Sequence, residues 1–181
     1  GEWKGDWELD TLQTGNLDAV AVNLPRIAYK CEGKEAKFFP FLDEQLEVAA
    51  KALEIKYQLV KQRLEEGLLP FLLQNSSEGG YFRRENASRV VSFVGLSEAV
   101  GSLCGKPLHK DSEALRFAEK IAATIGAFVK ERSRKPENRT VCSLVSSAEA
   151  ARRFAGLDAE RFGWARITAQ GGKEQPFYTN V

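Results

Sequence analysis

Apolar side chains recur along this chain in two kinds of spacing. Phe38, Phe39, Leu42, Leu46, Ala49, Ala50, Leu53, Tyr57, Val60 and Leu64 follow one another at intervals that keep to one helical face, with charged residues in the gaps. That period predicts a long amphipathic helix over 34–66. Pro40 is tolerated only in a first helical turn, so the continuous helix begins close to it, and Gly67 suits the position past its end. A second stripe, Leu115, Phe117, Ala118, Ile121, Ala122, Ile125 and Phe128, predicts a helix capped by Asp111 or Ser112 and running to about Arg132. A shorter helix is expected from Leu96 to Leu103, with Gly95 before it and Gly105 and Pro107 behind it.

Between these stripes lie short apolar runs rich in β-branched residues: 19–24, 88–94 and 140–145. Such runs predict buried strands, and Pro25, lacking a backbone donor, is expected to end the first. Residues 176–181 read as the start of a fourth strand. Ser146-Ser147-Ala148-Glu149 has the spacing of a capping box, which opens a helix to about Gly156, with Asp158 capping one more turn. Residues 1–18 read as a polar arm carrying Trp3 and Trp7, and 74–86 as a flexible loop. Strands separated by helices give an α/β class with parallel or mixed pairing. About four strands cannot close a large barrel, so 19–181 is expected to be one segment of a larger sheet or barrel.

Composition narrows the function classes. The 181 residues carry 26 Lys+Arg against 25 Asp+Glu, a net charge of +1, which lacks the cationic surplus of a non-specific nucleic-acid binder. No run reaches the roughly 18 apolar residues of a membrane span, and Gly1–Asp10 does not read as a secretory leader. With no Met, the chain is expected to have been cut from something longer. Cys31, Cys104 and Cys142 are too widely spaced for a metal pair or a disulfide framework, which suits a reduced, cytoplasmic compartment. Cys104 and Cys142 sit in apolar contexts and read as core thiols, Cys31 as a loop residue. His109 alone offers little base or metal chemistry and is expected to be exposed. Arg83, Arg84, Arg89 and the 132–135 group read as solvated basic faces.

Five short motifs, in order, carry a family resemblance. Asn23-Leu24-Pro25-Arg26-Ile27-Ala28 resembles the "NLPRIA" signature of anaerobic (class III) ribonucleoside-triphosphate reductases. Gly95-Leu96-Ser97-Glu98 resembles that family's "GLxE" turn. Ser146-Ser147-Ala148-Glu149 followed by Arg153-Phe154-Ala155-Gly156-Leu157-Asp158 resembles "TPxE…RFxxLD", and Phe177-Tyr178-Thr179-Asn180 resembles "YYTN"; Phe38-Phe39 to Leu53 resembles the helix after the first strand. The resemblance implies a fragment, about half, of a ten-stranded glycyl-radical α/β barrel with outer helices. It also implies an oxidoreductase that reduces ribonucleotides to deoxyribonucleotides for DNA synthesis. The implied partners are a ribonucleotide, the rest of the reductase chain, an S-adenosylmethionine-dependent activase and a second copy in a homodimer, with neither membrane nor nucleic acid. The family's glycyl radical and structural zinc are expected outside this segment, with no cofactor in the chain itself. Residues 1–22 hold no Cys where the family has its finger-loop cysteine, and the glycyl-radical loop expected after Asn180 is missing, so the chain alone is expected to be inactive; Ser147 stands where the motif has Pro. A non-catalytic nucleotide-binding paralogue and a different glycyl-radical enzyme remain the alternatives.

The same resemblance implies the site residues. Asn23 would orient the substrate; an amide hydrogen-bonds ribose hydroxyls without titrating, though a strand-end Asn also commonly satisfies loop backbone. Ser146, Ser147 and Glu149 would bind phosphate at a helix start, or simply cap that helix. Thr179 and Asn180, with Tyr178, would stand near the site. Arg26 suits either a phosphate or an ion pair. Gly95 and Glu98 read as a strand-to-helix turn, with Glu98 complementing the helix dipole.

Overall fold

A computed structural model describes residues 15–76, 79, 80, 82, 84, 86–134, 138–145 and 147–180. Residues 1–14 of the expected arm, with Trp3 and Trp7, lie outside the described residues, as do Ser146, Lys135, Arg83 and other parts of the 74–86 loop. Strand β1 (Asn16–Asn23) pairs in parallel with β4 (Ser88–Val94), which pairs in parallel with β5 (Thr140–Cys142). The sheet order is β1-β4-β5, and β2 (Asn75–Ser76) with β3 (Gly79–Gly80) forms a separate two-residue antiparallel pair. β1 therefore begins three residues inside the expected arm.

Helix α1 (Leu24–Lys30) leaves β1 without a loop. Pro25 was expected to terminate the strand; instead it sits at the helix start, where its fixed φ suits the first turn and its missing N–H has no intrahelical partner to lose. A 3-10 turn (Glu35–Lys37) leads into α2 (Phe38–Glu65), then α3 (Leu96–Cys104) follows β4 and α4 (Ser112–Arg132) precedes β5. Val20 and Val22 of β1 stand in register with Val91 and Phe93 of β4, and this face of the sheet packs on Leu42, Leu46, Leu53, Ile121 and Ile125. Edge-on contacts among Phe38, Phe39 and Phe117 join α2 to α4. The opposite face carries Ala19, Ala21 and Asn23 of β1 beside Val90, Ser92 and Val94 of β4, and the three β4 residues are buried.

Helix α5 runs from Ala148 to Phe162 in one piece. Asp158 does not cap a further turn: it lies in the third turn of this helix and is fully buried. Its tertiary partners, described below, hold it there. The capping box does not form either. The helix starts one residue later than that motif requires, so Ser147 is the N-cap, its side chain makes no cap hydrogen bond, and Glu149 falls one position short of the third turn residue the motif needs. The expected strand at 176–181 is a single antiparallel bridge between Gln170 and Phe177 among the described residues. β5 is three residues long rather than six, and Cys142 on it is exposed. Cys31 is the buried thiol, capping the C-terminus of α1, while Cys104 is half-buried. Arg89, expected on a solvated face, is buried: it bonds Glu54 at 2.6 Å and lies over the Tyr57 ring. His109 is exposed.

Asp111 caps α4 as expected, accepting from the backbone N–H groups of Glu113 and Ala114. The Lys106 ammonium, with those amides, holds its carboxyl below the ordinary value. A depressed folded pKa contributes stability above the unfolded value of about 4, and the contribution disappears as pH falls through the folded value. The melting-temperature deficit of Asp111→Ala relative to the parent should therefore shrink as pH is lowered below about 4, which a pair of thermal melts across the acid range would check.

Candidate functional site

The motif segments that lie far apart in sequence meet at the carboxyl end of the parallel strands, where α/β sheets collect their ligands. Asp158 is the hub. Its Oδ2 accepts from Asn23 Nδ2 at 2.8 Å and from the Tyr178 hydroxyl at 2.9 Å, and its Oδ1 accepts from Arg26 Nε at 2.5 Å. Three motif residues from two other segments thus share the Asp158 carboxylate, which is 0% exposed. Arg26, 28% exposed, supplies the countercharge that lets an anion remain there.

Asn23 ends β1 and is the N-cap of α1: its Oδ1 accepts from the Arg26 backbone N–H at 3.1 Å. Both ends of its amide are engaged, and each retains capacity, one N–H on Nδ2 and one lone pair on Oδ1. Half-buried, it lines a cleft of about 220 Å³ along the β1 edge together with Arg26, Phe41, Val48 and Phe154.

A second carboxylate holds the C-terminal segment. Glu98 is buried, its Oε1 accepting from the Thr179 backbone N–H at 3.0 Å and its Oε2 from the Thr179 hydroxyl at 2.6 Å. Thr179 returns its carbonyl to the Gly95 N–H at 2.7 Å. Glu98 lies in the first turn of α3, as expected, and its carboxylate is also turned inward to dock residues 178–180 against the start of that helix. Asn180 Oδ1 accepts from the Ser147 N–H at 3.4 Å, and Ser147 Oγ is buried with no hydrogen-bond partner among the described residues. Glu149 is exposed.

Two tyrosines back the hub. Tyr29 accepts from the Thr168 N–H at 3.0 Å and packs on Phe162. Burial, then Tyr29 and Asp158, push the Tyr178 hydroxyl well above the ordinary tyrosine range. Tyr178 is therefore a fixed donor to Asp158 and not an acid or base near neutrality. The Cys31 thiol, raised by burial, donates to the Ile27 carbonyl, which spends it on the helix rather than on the cleft. Among the described residues no group of three or more His, Cys, Asp or Glu is arranged to hold a metal ion, and no helix is long and apolar enough to cross a membrane.

Of the residues expected at a site, the structure brings Asn23, Ser147, Thr179 and Asn180 to one end of the sheet, linked through Asp158, Tyr178 and Glu98. Glu149 stays apart. The sequence reading missed Asp158 as a site residue, although it closes the motif that begins at Arg153.

The model for the family described as anaerobic ribonucleoside-triphosphate reductase matches residues 2–181. The anaerobic ribonucleoside-triphosphate reductase of Salmonella typhimurium is 32% identical over 181 residues, covering 91% of this chain and 24% of the relative. That of Escherichia coli is 31% identical, with the same coverage. A solved anaerobic ribonucleotide reductase superposes with a TM-score of 0.78 at 22% identity, over 93% of this chain and 25% of its own. The Thermotoga maritima enzyme in complex with dATP and CTP gives 0.74 at 23% identity, over 85% of this chain and 26% of its own. The chain spans about a quarter of the length of these relatives.

Proposed function

Because this chain belongs to the anaerobic ribonucleoside-triphosphate reductase family, we propose that its clustered strand ends form part of a ribonucleotide site. In this reading the segment works within a complete reductase chain that converts ribonucleotides to deoxyribonucleotides. The observation that carries it is the amide of Asn23, a residue lining a cleft, which is clamped at both ends and keeps one N–H and one lone pair to spare. A neutral amide can hold ribose hydroxyls without donating or removing a proton, which suits a reaction that runs through radicals. The cleft of about 220 Å³ falls short of the roughly 300–1,000 Å³ typical of ligand pockets, which is consistent with further walls from the rest of the reductase.

Phosphate would meet the N-terminus of α5, where free backbone N–H groups, the helix dipole and the unpartnered Ser147 hydroxyl favour an anion. Ser146 precedes that terminus. Glu149 is a poor phosphate ligand, since its own carboxylate would repel the group. Thr179 and Asn180 would shape the wall between the two ends, with Thr179 held by Glu98. Arg26 lines the same cleft and spends its Nε–H on Asp158.

The glycyl radical of the family would supply the one-electron oxidation that starts the reaction, and on this reading it and the structural zinc belong to other parts of the reductase. On the same reading the partners are the ribonucleotide, the rest of the reductase chain and the activase, in a cytoplasmic setting and with a second copy as homodimer.

In the complete, activated reductase, Asn23→Ala should lower kcat/KM for ribonucleotide reduction by about tenfold or more, equivalent to about 1.4 kcal/mol or more in the transition state. The same variant loses a helix cap, so its fold weakens by about 1 kcal/mol, and the assay belongs well below its melting temperature. Unchanged kcat/KM in a folded variant would refute the assignment.

A further inference from the structure

We propose that Asp158 is a positioning residue that fixes which edge of the Asn23 amide faces the cleft; this rests on the reading of Asn23 as the group that orients the ribose. An asparagine amide has two orientations related by a half-turn, and nothing in its shape separates them. Here both neighbours do. The Arg26 backbone N–H requires an acceptor and meets Oδ1, while the Asp158 carboxylate requires a donor and meets Nδ2. Turning the amide over would oppose N–H to N–H at one end and oxygen to carboxylate at the other. Two favourable contacts would become two repulsive ones, in a setting where Asp158 is sealed from water.

Asp158 can impose this only if its own orientation is fixed, and each of its oxygens is tied down. Oδ1 receives Arg26 Nε, and Oδ2 receives the Tyr178 hydroxyl beside the Asn23 amide. Tyr178 cannot reverse its role, since burial with Tyr29 and Asp158 alongside keeps its proton on. The carboxylate thus accepts from every side-chain donor around it and presents Asn23 with an acceptor only. The consequence is a defined N–H and a defined lone pair directed away from the hub, available to a ligand. Asp158 itself touches no ligand in this arrangement; it acts through Asn23.

The test is a double-mutant cycle in the complete, activated reductase. Asp158→Asn keeps the shape but offers Asn23 either a donor or an acceptor, so the sense of the amide is left to the Arg26 N–H alone. The account predicts a fall in kcat of about tenfold, with KM changed by less than about threefold, because misorientation affects the reacting geometry more than binding. It also predicts that Asn23→Ala/Asp158→Asn is no worse than Asn23→Ala by more than about twofold, since the positioned group is already gone. A merely structural Asp158 would give penalties that multiply, and that result, or full activity of Asp158→Asn beside a damaged Asn23→Ala, overturns the inference while leaving the substrate reading intact. Full activity of Asn23→Ala overturns the substrate reading and the inference with it.

Should Asp158→Asn fail to fold, Asn23→Asp carries the test without activity. It places a second carboxylate against Asp158, among Arg26, Tyr178, Tyr29 and Glu98, and two carboxylates in contact share one proton. The raised folded pKa makes the variant lose stability as pH rises through it. Its melting temperature relative to the parent should fall between about pH 4 and about pH 8. A difference that stays flat over that range would mean that Asp158 does not face the side chain at position 23, and would overturn the inference.

Discussion

Asp158→Ala is expected to cost the chain about 3–5 kcal/mol, the range for removing one member of a buried charged network. Most of the loss comes from the groups left behind. The Asn23 amide, the Tyr178 hydroxyl and the Arg26 guanidinium all direct donors at the carboxylate, and the alanine gives them nothing. Arg26 is partly exposed and can turn to water, which places the effect toward the lower end of the range. Tyr178 is fully buried and cannot. Against a typical total stability of about 5–15 kcal/mol, such a loss moves a denaturation midpoint far beyond experimental scatter. Guanidinium unfolding of the two proteins checks it, and a difference under about 0.5 kcal/mol would show that the hub does not hold these segments together.

Gly95→Ala is expected to be nearly as damaging, by about 2–5 kcal/mol, for two separate reasons. Gly95 has φ of +75°, the left-handed region that L-residues enter at a cost. A Cβ placed there would stand 2.3 Å from Cγ and 2.5 Å from Cδ of Pro25, and 3.3 Å from Cβ of Tyr178. The proline ring cannot swing aside as a flexible chain would, because it opens α1 and is buried. The strain would therefore fall on the strand ends themselves. Gly105, with φ of +67° and open space around it, is the control: Ala there should cost only the backbone penalty of about 1–2 kcal/mol. Equal losses at the two positions would contradict the close approach of Pro25 to Gly95.

Elements governed by local pattern were legible in the sequence. The 88–94 run is β4 residue for residue, Asp111 is the α4 cap, and the apolar stripe from Phe38 is α2. Leu24-Pro25 misled because proline both ends strands and begins helices, and only the absence of a loop after β1 decides between them. Asp158 misled for a different reason. Aspartate is a helix starter by local preference, and its partners Arg26 and Asn23 lie 132 and 135 positions away, where no periodicity reports them. Glu98 and Thr179, separated by 81 positions, were both read from their neighbours in sequence rather than from each other. The family resemblance picked out segments that the fold brings together, because the motifs are the contact points; Thr179, which it placed near the site, gives its N–H and hydroxyl to Glu98.

The most direct test of the central claim is a structure of the complete reductase with a ribonucleotide bound. The account predicts the ribose within hydrogen-bond distance, about 2.7–3.2 Å, of the Asn23 amide, with Asp158 still accepting from its other N–H and the phosphates toward the start of α5. A ribose bound elsewhere, with the Asn23 amide meeting only Asp158, Arg26 and water, would contradict it.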